Sequence, residues 1–174
     1  MDDVVVVNEK DEIIGTMPRS EAHANGVSHR VAVTYVENEK DEILVQIRMS
    51  GHFDHSSAGH VDSGETYLQT AERELKEELG ISGIQLNLIG HGMSDEMAKS
   101  KTVNKDTLDH IVHVFDVFVC KAEPGELAPD EVKGIFWSKP EDILEDMKVN
   151  PDKYAGGFKA TIGIYLNWKK KLVA

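Results

Sequence analysis

Apolar residues in this chain come in short runs separated by charged turns. Residues 4–7 are four valines, 13–14 are Ile-Ile, 30–36 read RVAVTYV and 43–47 read ILVQI. Short β-branched runs bounded by polar clusters predict strands, because branched side chains pack well on a pleated surface. Residues 84–89, 109–121 and 132–137 read the same way. The pentapeptide Asn-Glu-Lys-Asp-Glu follows the first run at 8–12 and recurs at 38–42. Two copies are too few for a repeat architecture, so they predict one hairpin turn used twice.

Helical spacing takes over after residue 66. Leu68, Ala71, Leu75 and Leu79 fall at i, i+3, i+7 and i+11, which predicts a core-facing stripe. Thr66 and Gln69 predict a capping box, and Gly80 the residue that ends the helix. Ser138-Lys-Pro-Glu141 predicts a second capping box, opening a short helix to about residue 147. Residues 20–25 predict a helical turn ended by Gly26. Residues 158–172 predict a terminal helix with Ile162, Tyr165, Leu166 and Trp168 available for packing. Residues 49–58 and 94–107 predict loops, the second mobile. Strands mixed with a few helices, without strict βαβ alternation, predict an α/β (α+β) fold with a mixed sheet between helices. No linker divides the chain, and 174 residues fit one domain spanning 1–174.

Three acidic residues of the central helix share a side. At about 100° per residue, Glu74, Glu77 and Glu78 span roughly 100° of arc. Like charges at i and i+4, here Glu74 and Glu78, cost an isolated helix about 0.2–0.5 kcal/mol. A divalent cation reverses that sign, and carboxylate oxygens suit hard Mg²⁺ or Mn²⁺. Taken alone, the three glutamates are better explained by a solvated helix face.

Composition sets outer limits. A hydrophobic content of 40% with 29% charged residues fits a soluble globular protein. The net charge of −12 offers no basic footprint for a nucleic-acid polymer or an anionic membrane surface. The single cysteine, Cys120, forms no intramolecular disulfide and lies in an apolar run, so it is expected in the core. No apolar run approaches membrane-spanning length and the acidic N-terminus has no signal-peptide pattern, so the expected location is cytoplasmic. Monomer and homodimer both stay open.

The wider spacing is more specific. Gly59, five residues, Glu65, seven residues, Arg73-Glu74-Leu75-x-Glu77-Glu78-x-Gly80-Ile81 resembles the Nudix box, with every defined position of 59–81 filled. The resemblance implies the Nudix fold and Mg²⁺-dependent hydrolysis of a nucleoside diphosphate linked to another group, or a related small-molecule diphosphate. It implies Glu74 and Glu78 as principal metal ligands with Glu77 sharing the site, the Gly59 carbonyl as a backbone ligand, and a Glu65–Arg73 pair fixing loop to helix. The general base is a box glutamate or a carboxylate from a later loop, for which Glu131 is the candidate. Arg48, before the box loop, is a candidate phosphate contact, and Phe53 a candidate stacking residue.

A second resemblance covers residues 6–29 and 57–60. A strand, a turn, Gly-Thr, then Ala22-His23, Ser28-His29 and Gly59-His60 are similar to the type I isopentenyl diphosphate isomerase branch of the superfamily. There, three histidines at these places help bind a metal, which implies a second site at His23, His29 and His60. The branch uses a cysteine immediately before the Gly-His pair, where this chain has Ala58. Its later paired glutamates would fall near Leu108-Asp109-His110-Ile111, which does not match. Three readings follow: a Mg²⁺-dependent hydrolase, favoured by the complete box; an isopentenyl diphosphate isomerase, disfavoured by Ala58; and a non-catalytic nucleotide or metabolite binder, disfavoured by the intact carboxylates.

Overall fold

A computed structural model describes residues 3–99 and 108–173. The elements run β1 (Asp3–Val7), β2 (Ile13–Pro18), α1 (Arg19–Asn25), β3 (His29–Glu37), β4 (Ile43–Arg48), β5 (Phe53–Asp54), β6 (Ser57–His60), α2 (Tyr67–Leu79), β7 (Asn87–Lys99), β8 (Leu108–Lys121), β9 (Val132–Ser138), α3 (Pro140–Val149) and α4 (Gly156–Val173). All nine strands join one mixed sheet centred on β3. β8 lies parallel along the whole of β3, from His29 beside His113 to Glu37 beside Lys121. Its other edge takes β1, β6 and β4 in turn, all antiparallel.

The pleat sorts side chains to two layers. Val31, Val33 and Tyr35 of β3, with Phe115, Val117 and Val119 of β8, face Ile143 of α3 and Phe158, Ile162 and Tyr165 of α4. Ala32 and Val36, with Val114, Phe118 and Cys120, face Tyr67, Ala71, Leu75 and Leu79 of α2. The sheet is therefore sandwiched between α2 and the α3–α4 pair. Each fully buried aliphatic or Phe side chain contributes about 1.5–3 kcal/mol.

The two pentapeptides form one turn twice. Asn8 Oδ1 accepts from the backbone N–H groups of Lys10 (2.9 Å) and Glu12 (3.0 Å), and Asn38 Oδ1 from those of Lys40 (2.8 Å) and Glu42 (3.1 Å). Asp11 and Asp41 sit at φ 58° and 59°, left-handed conformations that aspartate tolerates better than most residues. Thr66 and Gln69 form the capping box of α2, and Gly80 closes it in the left-handed conformation.

Four expectations need correction. The α2 stripe begins at Tyr67; Leu68 is exposed because the core-facing side is taken by Tyr67, Ala71 and Leu75. The second capping box does not form: Lys139 precedes α3 with no side-chain cap, because Ser138 ends β9 and its hydroxyl donates to the Lys139 carbonyl. The 49–58 segment is only partly loop, since β5 pairs with β4 and β6 with β3. The strand expected at 84–89 starts at Asn87 and continues through Lys99, absorbing the first part of the predicted 94–107 loop; residues 100–107 lie outside the described residues. Among the described residues no helix is long and apolar enough to cross a membrane.

Candidate functional site

β6 and α2 meet face to face. On β6, Ser57 and Gly59 face α2, while Ala58 and His60 face the α4 layer, as their pairing with Thr34, Ala32, Val33 and Val31 requires. Gly59 packs against the Glu74 carboxylate so closely that a Cβ there would overlap it. The Ala58 backbone N–H donates to Glu78 at 3.2 Å. Both carboxyls are largely withdrawn from water; burial pushes each up to about 7, and mutual repulsion with neighbouring carboxylates adds to it.

Arg73 is the hub of the box. Its guanidinium donates to Glu65 Oε1 (2.9 Å) and Oε2 (3.0 Å), Glu74 (2.6 Å), Glu77 (3.2 Å) and the His60 carbonyl (3.3 Å). Glu65 also accepts from Thr70 at 2.6 Å. The loop before α2 is thus tied to the helix and to β6 through one side chain. Glu77 remains the most solvent-exposed of the three helix glutamates.

The turn before β9 is fastened to the end of α2 by Gly125 N–H to Leu79 O (2.8 Å) and Ala128 N–H to Glu78 O (3.0 Å). This brings the exposed Glu131 close enough for its charge to act on both Glu74 and Arg48. Arg48 ends β4 opposite Val132 and donates to Asp54 at 2.6 Å. Phe53 is engaged elsewhere: its ring stands edge-on to Phe136 (5.0 Å) and Tyr154 (5.4 Å), a packing role that accounts for it without a ligand.

A histidine pocket lies on the opposite face of β6. One ligand-capable atom each from His23, His29, His60 and His113 falls within 4.8 Å of all the others. The Nε2 atoms of His29, His60 and His113 are buried and accept no hydrogen bond from the described residues. His29 Nδ1 lies 2.7 Å from the Val27 carbonyl, which places the proton on Nδ1 and leaves the Nε2 lone pair inward. Burial, then the neighbouring imidazoles, hold His60 and His113 well below the ordinary histidine range, and burial takes His29 to about 4. Among the described residues no carboxylate joins this set, and it is the only gathering of three or more such ligand groups.

A NUDIX domain profile matches residues 27–155, most of the chain. The chain belongs to the Nudix family. Among relatives, the Nudix hydrolase YfcD of Shigella flexneri is 32% identical over 146 residues, covering 80% of this chain and 75% of its own. The isopentenyl-diphosphate Delta-isomerase of Pectobacterium atrosepticum is 26% identical over 166 residues, covering 91% and 88%. In fold, this Nudix chain is similar to the crystal structure of DR0079 from Deinococcus radiodurans, with a TM-score of 0.65, 24% identity and 84% and 88% coverage. It is also similar to a C. elegans Ap4A hydrolase, with a TM-score of 0.58, 21% identity and 82% and 98% coverage.

Within this Nudix chain the structure gathers Glu65, Arg73, Glu74 and Glu77 in one ion-paired group beside Gly59, brings Glu78 against β6, and sets Arg48 and Glu131 at its edge. His113 is the member of the histidine pocket that sequence spacing missed. Its only signal was a histidine inside an apolar strand; the parallel register of β3 and β8 is what sets it beside His29. Ala58 packs against the core of the α4 layer, and Cys120 lies in the opposite layer among Leu75 and Leu79, so no thiol reaches the histidine side of β6.

Proposed function

We propose that this Nudix protein is a Mg²⁺-dependent pyrophosphohydrolase that cleaves the phosphoanhydride of a small organic diphosphate, with a nucleoside diphosphate linked to another group as the first class to test. The observation that carries this reading is the pair Glu74 and Glu78 held against β6, Glu74 on the Cβ-less face of Gly59 and Glu78 on the Ala58 N–H. These oxygen donors fit a hard divalent cation: Glu74, Glu78, Glu77 and the Gly59 carbonyl would hold it, and the space a Cβ would fill at Gly59 is taken by the Glu74 carboxylate itself. When bound, the cation supplies charge neutralisation on phosphate and lowers the pKa of water.

The chain's own residues do the rest. Arg73 fixes Glu65 and the loop to α2 and holds Glu74 in place. Arg48 receives phosphate oxygens. Glu131 or a box glutamate takes the proton as water oxygen bonds to phosphorus, and the bridging P–O bond breaks to release the second phosphate group. Specificity falls to the segments around the site. Ala58, with no thiol in reach, argues against the carbon protonation that an isomerase requires.

We also propose that the histidine pocket holds a second metal. Four imidazoles without a carboxylate suit Zn²⁺-class ions better than Mg²⁺.

The test is a Mg²⁺-dependent panel for phosphate and diphosphate release, run beside Glu78→Gln. It includes nucleoside triphosphates, nucleotide sugars, ADP-ribose, dinucleoside polyphosphates and isopentenyl diphosphate, the last also assayed for isomerisation. Turnover of one class that falls on the order of 100-fold in Glu78→Gln is the expected outcome. Isomerisation, or turnover that ignores the substitution, overturns the reading.

A further inference from the structure

Arg48 ends in solvent, yet its anchor is one of the most deeply buried polar assemblies in the protein. Its side chain is 46% exposed, and a free arginine forfeits about 2 kcal/mol of rotamer entropy when it is fixed. Here Nη1 donates to Asp54 Oδ2 at 2.6 Å. The Asp54 side chain is only 5% exposed. A buried carboxylate is costly unless its lone pairs are satisfied. Its other oxygen accepts from the His55 backbone N–H at 2.8 Å and lies 2.8 Å from His55 Nδ1.

Behind Asp54 the chain of contacts runs through the core. His55 is itself buried, and its Nε2 is 2.6 Å from Thr161 Oγ on α4. Thr161 Oγ is 2.9 Å from the Tyr35 hydroxyl and 3.0 Å from the Gly157 carbonyl. Thr161 donates its one proton to the Gly157 carbonyl and so accepts from the Tyr35 hydroxyl, while His55 stands between them and Asp54, with Nε2 against Thr161 and Nδ1 against the carboxylate. Burial opposes ionisation of Asp54, but His55 and Arg48 together hold its carboxyl below the usual carboxylate range. The network has one outlet to solvent, the Arg48 guanidinium.

That outlet lies at the edge of the carboxylate site. Arg48 lies opposite Val132, next to Glu131, and within reach of the charges of Glu78 and Glu131. A diphosphate approaching this acidic edge meets repulsion, in a chain of net charge −12. Arg73 cannot offset it, because its donors are taken by Glu65, Glu74, Glu77 and the His60 carbonyl. Arg48 gives one nitrogen to Asp54 and keeps Nε and Nη2 for a phosphate.

We infer that Asp54, backed by His55, Thr161 and Tyr35, is a positioning residue that holds the Arg48 guanidinium at the edge of the carboxylate site as the anion clamp for the substrate's phosphate. This rests on the diphosphate reading above. α4, which supplies no box residue, thereby takes part in substrate binding.

The test is calorimetric binding of imidodiphosphate in saturating Mg²⁺ to the wild-type protein, Arg48→Gln, Asp54→Asn and the double variant. Each single change is expected to weaken binding about tenfold, and the double variant to be no weaker than Arg48→Gln, because both remove one coupled device. Thr161→Val, a smaller perturbation, covers the case in which Asp54→Asn does not fold; it should weaken binding a few-fold and have no effect in the Arg48→Gln background. A structural role alone would lower the melting temperature and leave imidodiphosphate affinity untouched, or add its loss to that of Arg48→Gln; either result overturns the inference. Wild-type protein that binds no imidodiphosphate defeats the diphosphate reading itself, and this inference with it.

Discussion

Glu74 and Glu78 titrate near 7 because both are withdrawn from water beside other carboxylates. The sign of the resulting pH effect is fixed. A carboxyl that loses its proton near 4.5 when unfolded and near 7 when folded binds it more tightly in the native state. Metal-free protein is therefore most stable below about pH 4.5 with respect to these groups, loses stability up to about pH 7 and is level above it. On the proposed ligand assignment Mg²⁺ would bind the ionised pair, so its stabilising effect should grow over the same interval. Thermal melts from about pH 4 to about pH 8, with and without Mg²⁺, check this; a Mg²⁺ effect that is the same at both ends would contradict the ligand assignment. The identity of these glutamates was legible in the motif. Their burial was not, because it depends on β6 lying across α2.

At the scale of elements, the contact between β6 and α2 decides the site. Gly59 is required there by close approach: any side chain would displace the Glu74 carboxylate. Gly59→Ala should keep its secondary structure by circular dichroism and lose on the order of 100-fold in turnover, the scale of a 1 Å misplacement. Retained turnover would show that Glu74 tolerates displacement. The capping of α2 was readable from Thr66, Gln69 and Gly80, since local hydrogen bonding dictates it. The failed box at Ser138 shows the limit: the same letters give no cap because α3 opens at Pro140 with Lys139 as its N-cap, which leaves Ser138 in β9, paired with Ile43, one residue too early.

For the whole molecule, the histidine pocket joins distant parts of the chain. His23 comes from α1, His29 from β3, His60 from β6 and His113 from β8. A metal held there closes α1 onto the sheet. The protein purified without chelator is expected to carry one Zn²⁺-class ion per chain by elemental analysis, and His113→Ala to lose it. At a hundredfold excess of metal over Kd the stabilisation is about 2.7 kcal/mol, so chelation should lower the melting temperature of wild-type protein and not that of His113→Ala. An equal shift in both would place the ion elsewhere.

The sequence by itself determined what depends on neighbours a few residues apart: the twin Asn-Glu-Lys-Asp-Glu turns, the α2 cap and stop, the Glu65–Arg73 spacing and the glutamates on one helix side. Three of the pocket histidines were legible only by resemblance. The tertiary structure alone decided what depends on register and packing between distant segments. The parallel pairing of β3 with β8 brought His113 to His29, α4 laid Thr161 against His55 and so behind Arg48, and the core layer around α2 took Cys120 away from the histidine side. Hydrogen-bond rules act along a few residues of chain and can be read from them; which strands share an edge is settled by the burial of a whole sheet face.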